Sequence, residues 1–303
     1  MRQFNEYSKL SRVAIRSPID GFVSQEKLDR EWKALRFKDV PNFEKACTEY
    51  EQFKDIIQSC GAEVIELEGD SSLSIDSIYP RDSNLICPTG LINCNMGRAS
   101  RTCESKVNAL GYKKYFKDVA GEVVEPGTLE GGDFIWIDES HAAVGNGPRT
   151  NKAGIYQLQK ILGFDVELMT VDLPQPDHPD DVLHLMSIIS PIDEDLAVIY
   201  EKFTPKSFIE WLESLGLNFI TVSDDEYECM SCNVLALAPR EVVILENCVS
   251  LKNKLLKQNC IVHTYKGEEI SLKGEGGPTC LTRPLLRISV SYTHLTLPTI
   301  YSV

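Results

Sequence analysis

Cys280 lies in the part of the chain whose residues most favour nucleophilic chemistry. It follows the glycine-rich stretch "GEGGPT", residues 274–279, and precedes an apolar run closed by arginine. A thiol reacts as its thiolate, so a reactive cysteine needs backbone amides or a cation that lower its pKa. Glycines allow the backbone to approach a ligand and to point amides at the sulfur. These residues alone leave two interpretations open: a catalytic thiolate, or an ordinary turn before a last strand.

Two acidic stretches are candidates for binding a cationic substrate. In "PGTLEGGDFIWID", residues 126–138, Glu130 and Asp133 flank two glycines before a β-rich run. Asp82 occurs in "IYPRDSNLI", residues 78–86, at the entrance of another such run. A guanidinium group presents its donors in a planar fork that matches carboxylate oxygens. Turn formation and structural salt bridges are the alternative interpretations of these acidic residues.

His184 is the candidate acid–base residue. It interrupts the apolar run "LHLMSIIS", residues 183–190, for which we expect a strand, and a lone histidine there is also compatible with a satisfied core position. Cys229 and Cys232 have the spacing of a metal-binding loop, but no second pair or histidine cluster completes a tetrahedral site. The sequence contains no glycine-rich phosphate loop, dinucleotide fingerprint or zinc signature, so we predict no metal ligands.

Composition and charge restrict the partners of the chain. Its 303 residues are 43% apolar and 25% charged, which is ordinary for a globular protein, and its formal net charge is −14 without any basic run. This balance argues against a nucleic acid or an anionic membrane as partner and favours a small cationic ligand. No stretch is apolar enough to span a bilayer or to form a signal peptide, and ten scattered cysteines favour a reducing compartment. We therefore expect a cytoplasmic protein.

The elements that must position these residues form a recurring pattern. Apolar periodicity predicts five helices, at 40–60, 101–109, 150–162, 205–216 and 248–258. Short β-rich runs lie on both sides of each helix. One helix for about three strands, five times over, favours a repeated α/β module over a doubly wound sheet. A mixed α+β sheet with coincidental spacing is the alternative.

Five motifs, taken together in chain order, resemble those of one enzyme superfamily. They are "YPRDS", "EGGDF", "GPRTNKAGI", "HLMSIIS" and "GGPTCLTRP", within a resemblance that extends from about Leu10 to Arg287. The superfamily modifies guanidine groups and includes arginine deiminases, dimethylarginine dimethylaminohydrolases and amidinotransferases. The resemblance implies a five-bladed pseudo-symmetric α/β-propeller (pentein) of ββαβ modules, with the active site in its central channel. Residues 1–289 would form this single catalytic domain, whereas residues 290–303 resemble a translated sequencing adapter and are interpreted as a non-native tail.

The resemblance also implies a mechanism and a role for each motif residue. Cys280 matches the nucleophile that attacks the guanidinium carbon to form a covalent thiouronium adduct, and His184 matches the acid–base residue that protonates the leaving amine and then activates water. Glu130 and Asp82 match the carboxylates that hold the guanidinium nitrogens. No metal or organic cofactor is implied.

Two further sequence matches indicate residues that would bind the α-carboxylate end of the substrate. "RASRTCE" resembles the family stretch whose arginine binds an α-carboxylate, which indicates Arg101, and "RTNKAGI" likewise indicates Arg149. The pair suits an amino acid better than decarboxylated agmatine, and surface arginines at helix starts are the alternative. "KALRFKDV", residues 33–40, resembles a mobile lid in which the carbonyl of Leu35 meets the substrate amine. The expected ligand is thus a small cationic amino acid, and the chain is compatible with a homodimer.

Position 186 guides the choice within the superfamily. Arginine deiminases, agmatine deiminases and amidinotransferases typically carry His-x-Asp, whereas the triplet here is His184, Leu185 and Met186, and methionine cannot replace the acceptor oxygens of aspartate. One carboxylate fewer suits an alkylated guanidine, so we predict conversion of dimethylarginine to citrulline and dimethylamine. "PRDS" and "GGPTC" look more like deiminase motifs, which makes arginine deiminase the alternative, followed by amidinotransferase. A non-catalytic propeller that acts as a binding module is the alternative of another class, and it predicts loss of the cysteine and histidine.

Overall fold

The computed structural model describes residues 1–116, 118–175 and 183–289. The interpretation of residues 290–303 as a tail therefore lies outside the described residues. Sixteen strands occur in the described ranges: β1 (Arg2–Gln3), β2 (Lys9–Ile15), β3 (Glu63–Glu66), β4 (Asn84–Cys87), β5 (Gly90–Asn93), β6 (Val119–Glu122), β7 (Phe134–Trp136), β8 (His141–Asn146), β9 (Glu167–Asp172), β10 (Ile189–Asp193), β11 (Leu196–Ile199), β12 (Asn218–Thr221), β13 (Leu235–Ala238), β14 (Glu241–Leu245), β15 (Ile261–Tyr265) and β16 (Arg283–Ile288). Eight α-helices accompany them: α1 (Pro18–Gly21), α2 (Gln25–Glu31), α3 (Phe43–Ser59), α4 (Glu104–Tyr112), α5 (Lys152–Leu162), α6 (Lys206–Ser214), α7 (Asp224–Glu228) and α8 (Val249–Lys257). None of these helices is long and apolar enough to cross a membrane.

The strands and helices repeat as ββαβ modules, each with its own sheet. In the first module, β4 pairs antiparallel with β5, α4 follows, and β6 returns parallel to β5. The same order gives the second module (β7, β8, α5, β9), the third (β10, β11, α6, β12) and the fourth (β13, β14, α8, β15). A parallel return needs a crossover connection, and the helix supplies it in every module.

A fifth module, which we call the closing module, joins the two ends of the described chain. β16 pairs antiparallel with β2, and β3 returns parallel to β2 after α3. The short strand β1 extends the same sheet on the other side of β16. The five-bladed α/β-propeller expected from the sequence is therefore confirmed, and the ring is closed by backbone hydrogen bonds between the first and last strands.

Apolar patterning and helix caps explain why these segments form these elements. Helix α3 buries Ala46, Tyr50, Phe53 and Ile57, whose spacing of three or four residues places them on one face. The side chain of Asn42 accepts a hydrogen bond at its N-terminus, a cap that stabilises a helix by about 1 kcal/mol. The second strand of each module lies inside its sheet; all four residues of β11 are buried, for example. Strands buried on both faces read as continuous apolar runs, which is why they were visible in the sequence.

The expected strand at residues 183–190 was wrong in its first half. Leu185–Ser187 form a 3₁₀ turn, and β10 begins only at Ile189. The backbone N–H of Leu185 donates to the buried carboxylate of Asp133 at 3.0 Å, and that of His184 donates to Ser187 Oγ at 3.2 Å. These two side chains accept hydrogen bonds from backbone N–H groups that, in a strand, would bond to a neighbouring strand.

Candidate active site

Every module contributes the segment before its first strand to one region of the ring. Asp82 precedes β4, Glu130 precedes β7, His184 precedes β10, Asn233 precedes β13 and Cys280 precedes β16. Asp82, Glu130, His184 and Cys280 line one pocket, and Asn233 contacts the cysteine from behind. Pseudo-symmetry therefore brings together residues that are up to about 200 positions apart in the sequence. The sequence analysis did not identify Asn233 as a site residue, although its position before β13 is equivalent to that of the other four.

The pocket is small. Its volume is about 30 Å³. Its lining comprises Leu35, Arg36, Asp76, Tyr79, Asp82, Arg98, Arg101, Glu130, Arg149, His184, Gly274, Glu275, Gly276 and Cys280. Seven of the eight residues predicted from the sequence are in this lining, and Asp133 is not. A substrate the size of an amino acid needs more space, so the cover must shift for it to enter.

His184 and Glu130 form a buried pair on one wall. The His184 Nε2 to Glu130 Oε2 distance is 2.8 Å, and both side chains are almost fully buried. Burial by itself lowers the pKa of His184, but the carboxylates of Asp82, Asp133 and Glu130 outweigh it and raise that pKa to about 9. Burial by itself raises the pKa of Glu130, but the hydrogen bond and charge of His184, with nearby arginines, lower it to about 2. At neutral pH the pair is an imidazolium and a carboxylate, which suits a proton donor.

Cys280 is a partly buried thiol with hydrogen-bond donors around it. Asn233 Nδ2 donates to its Sγ at 3.3 Å, and the Thr279 hydroxyl lies 3.9 Å from the same atom. Burial, and then the negative charge of Asp82, raise the pKa of Cys280, whereas Asn233 and Thr279 lower it. A bound cation beside the sulfur would favour the thiolate further, because opposite charge stabilises the ionised form.

Asp82 presents one paired and one unpaired oxygen. Its Oδ2 accepts a hydrogen bond from Arg101 Nη1 at 2.6 Å. Its Oδ1 is buried without a hydrogen-bond partner among the described residues and lies 3.8 Å from His184 Nδ1. Gly132 is required beside it, because a Cβ there would lie 2.7 Å from Asp82 Oδ1 and 2.6 Å from His184 Nδ1. Buried acceptors are normally satisfied, so Oδ1 is suited to a donor from a ligand.

The placement of Asp133 differs from the expectation that it binds the substrate. It is fully buried behind the pocket lining, and its Oδ1 accepts the backbone N–H of Leu185. Burial is the main cause that raises the pKa of Asp133 to about 6. Asp133 thus fixes the turn that carries His184, and the glycines that precede it bring its carboxylate to that turn.

Arg101 also differs from its expected environment. Its Nε and Nη2 donate to the Glu104 carboxylate at 2.8 Å each, its Nη1 donates to Asp82, and its Nη2 also donates to the carbonyl of Tyr79. Binding a substrate carboxylate, as predicted, would require Arg101 to release one of these acidic partners. In this structure it orients Asp82. Arg149 lies in the pocket wall with its Nη1 3.6 Å from Glu130 Oε1.

The sequence analysis did not identify Asp76 and Arg98, which line the pocket beside Leu35. Arg98 Nη1 lies 2.9 Å from Asp76 Oδ2, and Arg98 Nη2 donates to the carbonyl of Leu35 at 2.9 Å. The backbone N–H of Arg98 also donates to Glu130 at 3.0 Å. Arg98 stands three residues before Arg101 in the quoted "RASRTCE", and Asp76 stands six before Asp82, so both lay next to recognised motifs. This part of the pocket offers an acid, a carbonyl and a cation.

Residues 33–40 cover the pocket, and we call them the lid. The carbonyl of Leu35 faces Arg98, the backbone N–H of Lys38 donates to the Lys273 carbonyl at 2.7 Å, and Lys38 Nζ lies 2.9 Å from Glu275 Oε1. The lid is therefore fastened on one side to the pocket wall and on the other to the loop that leads to Cys280.

Met186, which stands where the related deiminases carry an aspartate, does not line the pocket. It is buried in an apolar cluster with Ile135, Ile188 and Phe208. The 3₁₀ turn after His184 rotates this side chain into the core of the third module. Among the described residues, the acidic groups within reach of the pocket are consequently those of Asp76, Asp82, Glu130 and Glu275.

Asp82, Glu130 and His184 could in principle hold a metal ion, because one ligand atom from each lies within 4.8 Å of the others. Their partners favour another ligand, however. Each carboxylate already lies beside an arginine, and the raised pKa of His184 keeps its ring protonated, whereas metal ligation needs the neutral ring. The arrangement fits a planar cation that donates several hydrogen bonds.

Comparison with known proteins agrees with this chemistry. Residues 25–287 match the model of a family described as N,N dimethylarginine dimethylhydrolase, eukaryotic. The arginine deiminase of Limosilactobacillus reuteri is 24% identical, with 77% of this chain and 68% of that protein covered. The arginine deiminase of Rhodococcus erythropolis is 25% identical, with 69% and 60% covered. This chain therefore spans between 60% and 68% of the length of these two curated relatives.

Solved structures share the fold. The dimethylarginine dimethylaminohydrolase of Pseudomonas aeruginosa, complexed with citrulline, superposes with a TM-score of 0.74 at 19% identity, covering 92% of this chain and all of that one. The N-terminal domain of ArgZ, a cyanobacterial arginine dihydrolase, gives 0.75 at 18% identity with 92% and 97% covered. SxtG, an amidinotransferase of Microseira wollei, gives 0.77 at 14% identity with 95% and 98% covered. At these identities the matches establish the propeller fold.

Proposed function

We propose a reaction for this chain on the premise that it belongs to the eukaryotic N,N dimethylarginine dimethylhydrolase family, which its match over residues 25–287 shows. The chain is a hydrolase that cleaves a guanidinium C–N bond of arginine or of an Nω-methylated arginine. The first-choice reaction is dimethylarginine plus water giving citrulline and dimethylamine. The observation that carries it is the single pocket that contains the Cys280 thiol, the His184–Glu130 pair and the unpaired oxygen of Asp82.

In the first half-reaction, the thiol proton of Cys280 is lost to solvent as the cation binds, the thiolate Sγ bonds to the guanidinium carbon, and the bond from that carbon to the leaving nitrogen breaks. The guanidinium donates to Asp82 Oδ1 and to Glu130, which holds its carbon toward the sulfur. The imidazolium of His184 gives its proton to the leaving amine. The product of this step is a thiouronium adduct on Cys280 and a neutral His184.

In the second half-reaction, water adds to the carbon of the adduct. His184 takes one proton of that water, the other is released to solvent, the C–S bond breaks, and Cys280 leaves as the thiolate. The product is the ureido group of citrulline, and the enzyme returns to its starting protonation state once the thiolate takes up a proton from solvent. Glu130 is ionised in the starting state, because the adjacent imidazolium and arginines lower its pKa.

The amino-acid end of the substrate lies beside Leu35, Asp76 and Arg98. Asp76 and the Leu35 carbonyl suit an ammonium group, while Arg98 and Arg149 suit a carboxylate. The acidic residues of the pocket lining are Asp76, Asp82, Glu130 and Glu275, and none of them replaces the aspartate of the His-x-Asp motif, which supports an alkylated substrate. The arginine deiminases among the curated relatives support deimination of arginine as the second candidate.

Product analysis of the purified protein separates the candidates. Given asymmetric dimethylarginine, monomethylarginine and arginine in parallel, the protein is expected to release citrulline with the highest kcat/KM from the dimethylated substrate, measured by mass spectrometry. A higher kcat/KM for arginine, with ammonia released, would replace the first choice by deiminase. Cys280→Ser is the control and should accumulate no citrulline from any substrate. Absence of turnover for all three, with Cys280 inert to a haloacetamidine, would favour a binding module.

A further inference from the structure

A second cluster of chemically competent side chains lies outside the active-site pocket. It contains Cys60, Glu241 and His263, and we call it the Cys60 cluster. Cys60 follows the C-terminal end of α3, Glu241 begins β14, and His263 lies in the middle of β15. Glu241 is 181 residues from Cys60 in the sequence, and His263 is 203 residues from it. Because the three residues are so far apart, they form no recognisable sequence motif.

The distances within the Cys60 cluster resemble those between ligands of one tetrahedral ion. Cys60 Sγ lies 3.3 Å from Glu241 Oε1 and 3.8 Å from His263 Nε2, and the latter two atoms are 3.0 Å apart. Zinc bonds of the usual lengths at tetrahedral angles place sulfur about 3.5 Å from nitrogen or oxygen, and nitrogen about 3.3 Å from oxygen. The three atoms therefore need to move by only a few tenths of an ångström to share an ion.

The chemistry of the three ligand atoms selects a class of metal. A thiolate and an imidazole are ligands of Zn²⁺ and of its spectroscopic substitute Co²⁺, whereas Ca²⁺ and Mg²⁺ take oxygen ligands. Thiolate and carboxylate together carry the two negative charges that balance a divalent cation. The side chains of His263 and Glu241 are 29% and 27% exposed, so solvent reaches the cluster and can complete a fourth coordination position.

We propose that the Cys60 cluster is a Zn²⁺ site that joins the closing module to the fourth module. Sulfur, nitrogen and oxygen each form one bond to the ion, the thiol proton is lost to solvent, and the imidazole binds through Nε2 with its proton on Nδ1. No electron is transferred. Cys60 directly follows helix α3 of the closing module, whereas β14 and β15 belong to the fourth module, so the ion joins these two modules. The site is independent of the reaction proposed for Cys280.

Without metal, the cluster is a hydrogen-bonded group in which Glu241 accepts from the thiol. Burial, and then the hydrogen bond and charge of Glu241, raise the pKa of Cys60 to about 11. An ion that binds the sulfur must therefore displace the thiol proton that Glu241 accepts.

Cobalt binding by the Cys280→Ser protein tests this site without interference from the active-site thiol. After chelation and dialysis, titration with Co²⁺ should give a thiolate-to-cobalt charge-transfer band and tetrahedral d–d bands that saturate at about one ion per chain. Zn²⁺ should then displace Co²⁺ and abolish both bands. The additional substitutions Cys60→Ser and His263→Gln should each remove the charge-transfer band or weaken binding at least tenfold.

Cys47→Ser is the matched control, because Cys47 is a partly exposed cysteine of the same helix α3 that lies outside the cluster. It should leave the titration unchanged. Far-UV circular dichroism of each variant separates loss of ligation from loss of fold, and His263→Gln, on a partly exposed strand position, is the variant expected to fold normally. A cobalt spectrum that survives both cluster substitutions, or no thiolate band in the parent protein, would overturn the proposal.

Discussion

At the scale of single residues, the site depends on side chains that act on one another before any substrate is present. Glu130 keeps His184 protonated, Arg101 orients Asp82, and Asn233 donates to the sulfur of Cys280. Five of these six groups, including the nucleophile, were predictable because each lies in a recognised motif. Asn233 was not, since "CNVLAL" contains no chemical signature and its importance arises only from the ring that places it beside Cys280.

Asn233 provides a test of how the thiolate is stabilised. Its amide donates to Cys280 Sγ and lowers the pKa of that thiol, while its Oδ1 accepts from the Thr279 backbone and hydroxyl. Asn233→Ala should therefore shift the midpoint of the pH profile for Cys280 alkylation to higher pH and slow the reaction at pH 7 by about tenfold. Thr279→Val is the matched control with a longer contact to sulfur, and a smaller shift is expected. An Asn233→Ala protein with an unchanged midpoint would show that the amide is only structural.

At the scale of elements, the sequence predicted the helices, but it did not predict the turns whose backbone is held by hydrogen bonds to side chains. The five predicted helices correspond to α3, α4, α5, α6 and α8 within a few residues, because their apolar faces have helical spacing. The π-helical turn Glu268–Leu272 has no such pattern: Glu49 of α3 accepts the backbone N–H groups of three of its residues. The same dependence on distant acceptors explains the turn at His184. The conformation of such a turn depends on side chains that are distant in the sequence, so the residues of the turn itself do not predict it.

The lid gives the prediction at this scale, because two contacts of different strength fasten it. Arg98 is mostly buried between Asp76 and the Leu35 carbonyl, whereas the Lys38–Glu275 pair is exposed. Hydrogen bonds to charged groups contribute about 1.5–3 kcal/mol, so Arg98→Ala should raise KM by about 10- to 100-fold with a smaller change in kcat. Lys38→Ala is the matched control, and its KM should change less than about threefold, since exposed pairs contribute little. Steady-state kinetics measures both, and equal effects of the two substitutions would contradict this view of the lid.

At the scale of the whole molecule, the ring is a way of bringing one polar group from each module to one place while the sheets and helices remain ordinary. The motif order predicted this architecture, but the closure of the ring could not be derived from spacing, because it depends on pairing between β2 and β16 at opposite ends of the described chain. The same closure buries a charged group. Glu6, in the loop before β2, lies beside Arg81, Arg283 and Arg287, and all four side chains are buried.

Glu6 should therefore control the stability of the closed ring. Burial by itself raises the pKa of Glu6, but the three arginines outweigh it and lower that pKa, so the carboxylate is ionised at neutral pH. Its Oε2 lies 3.2 Å from Arg81 Nη1, and the arginines connect onward to the Thr279 carbonyl and to β16. Glu6→Gln leaves three buried cations without their counter-charge, and removal of one partner of a buried pair costs about 3–5 kcal/mol in the free energy of unfolding.

Urea denaturation of Glu6→Gln and of Glu63→Gln measures this cost against a matched control. Glu63 also accepts from an arginine of β2, Arg12, at the shorter distance of 2.6 Å, but this pair is exposed to solvent, where water already stabilises both charges. The control should therefore lose much less stability although its contact is shorter. Equal losses for the two variants would mean that ring closure depends on the β2–β16 ladder rather than on the buried carboxylate.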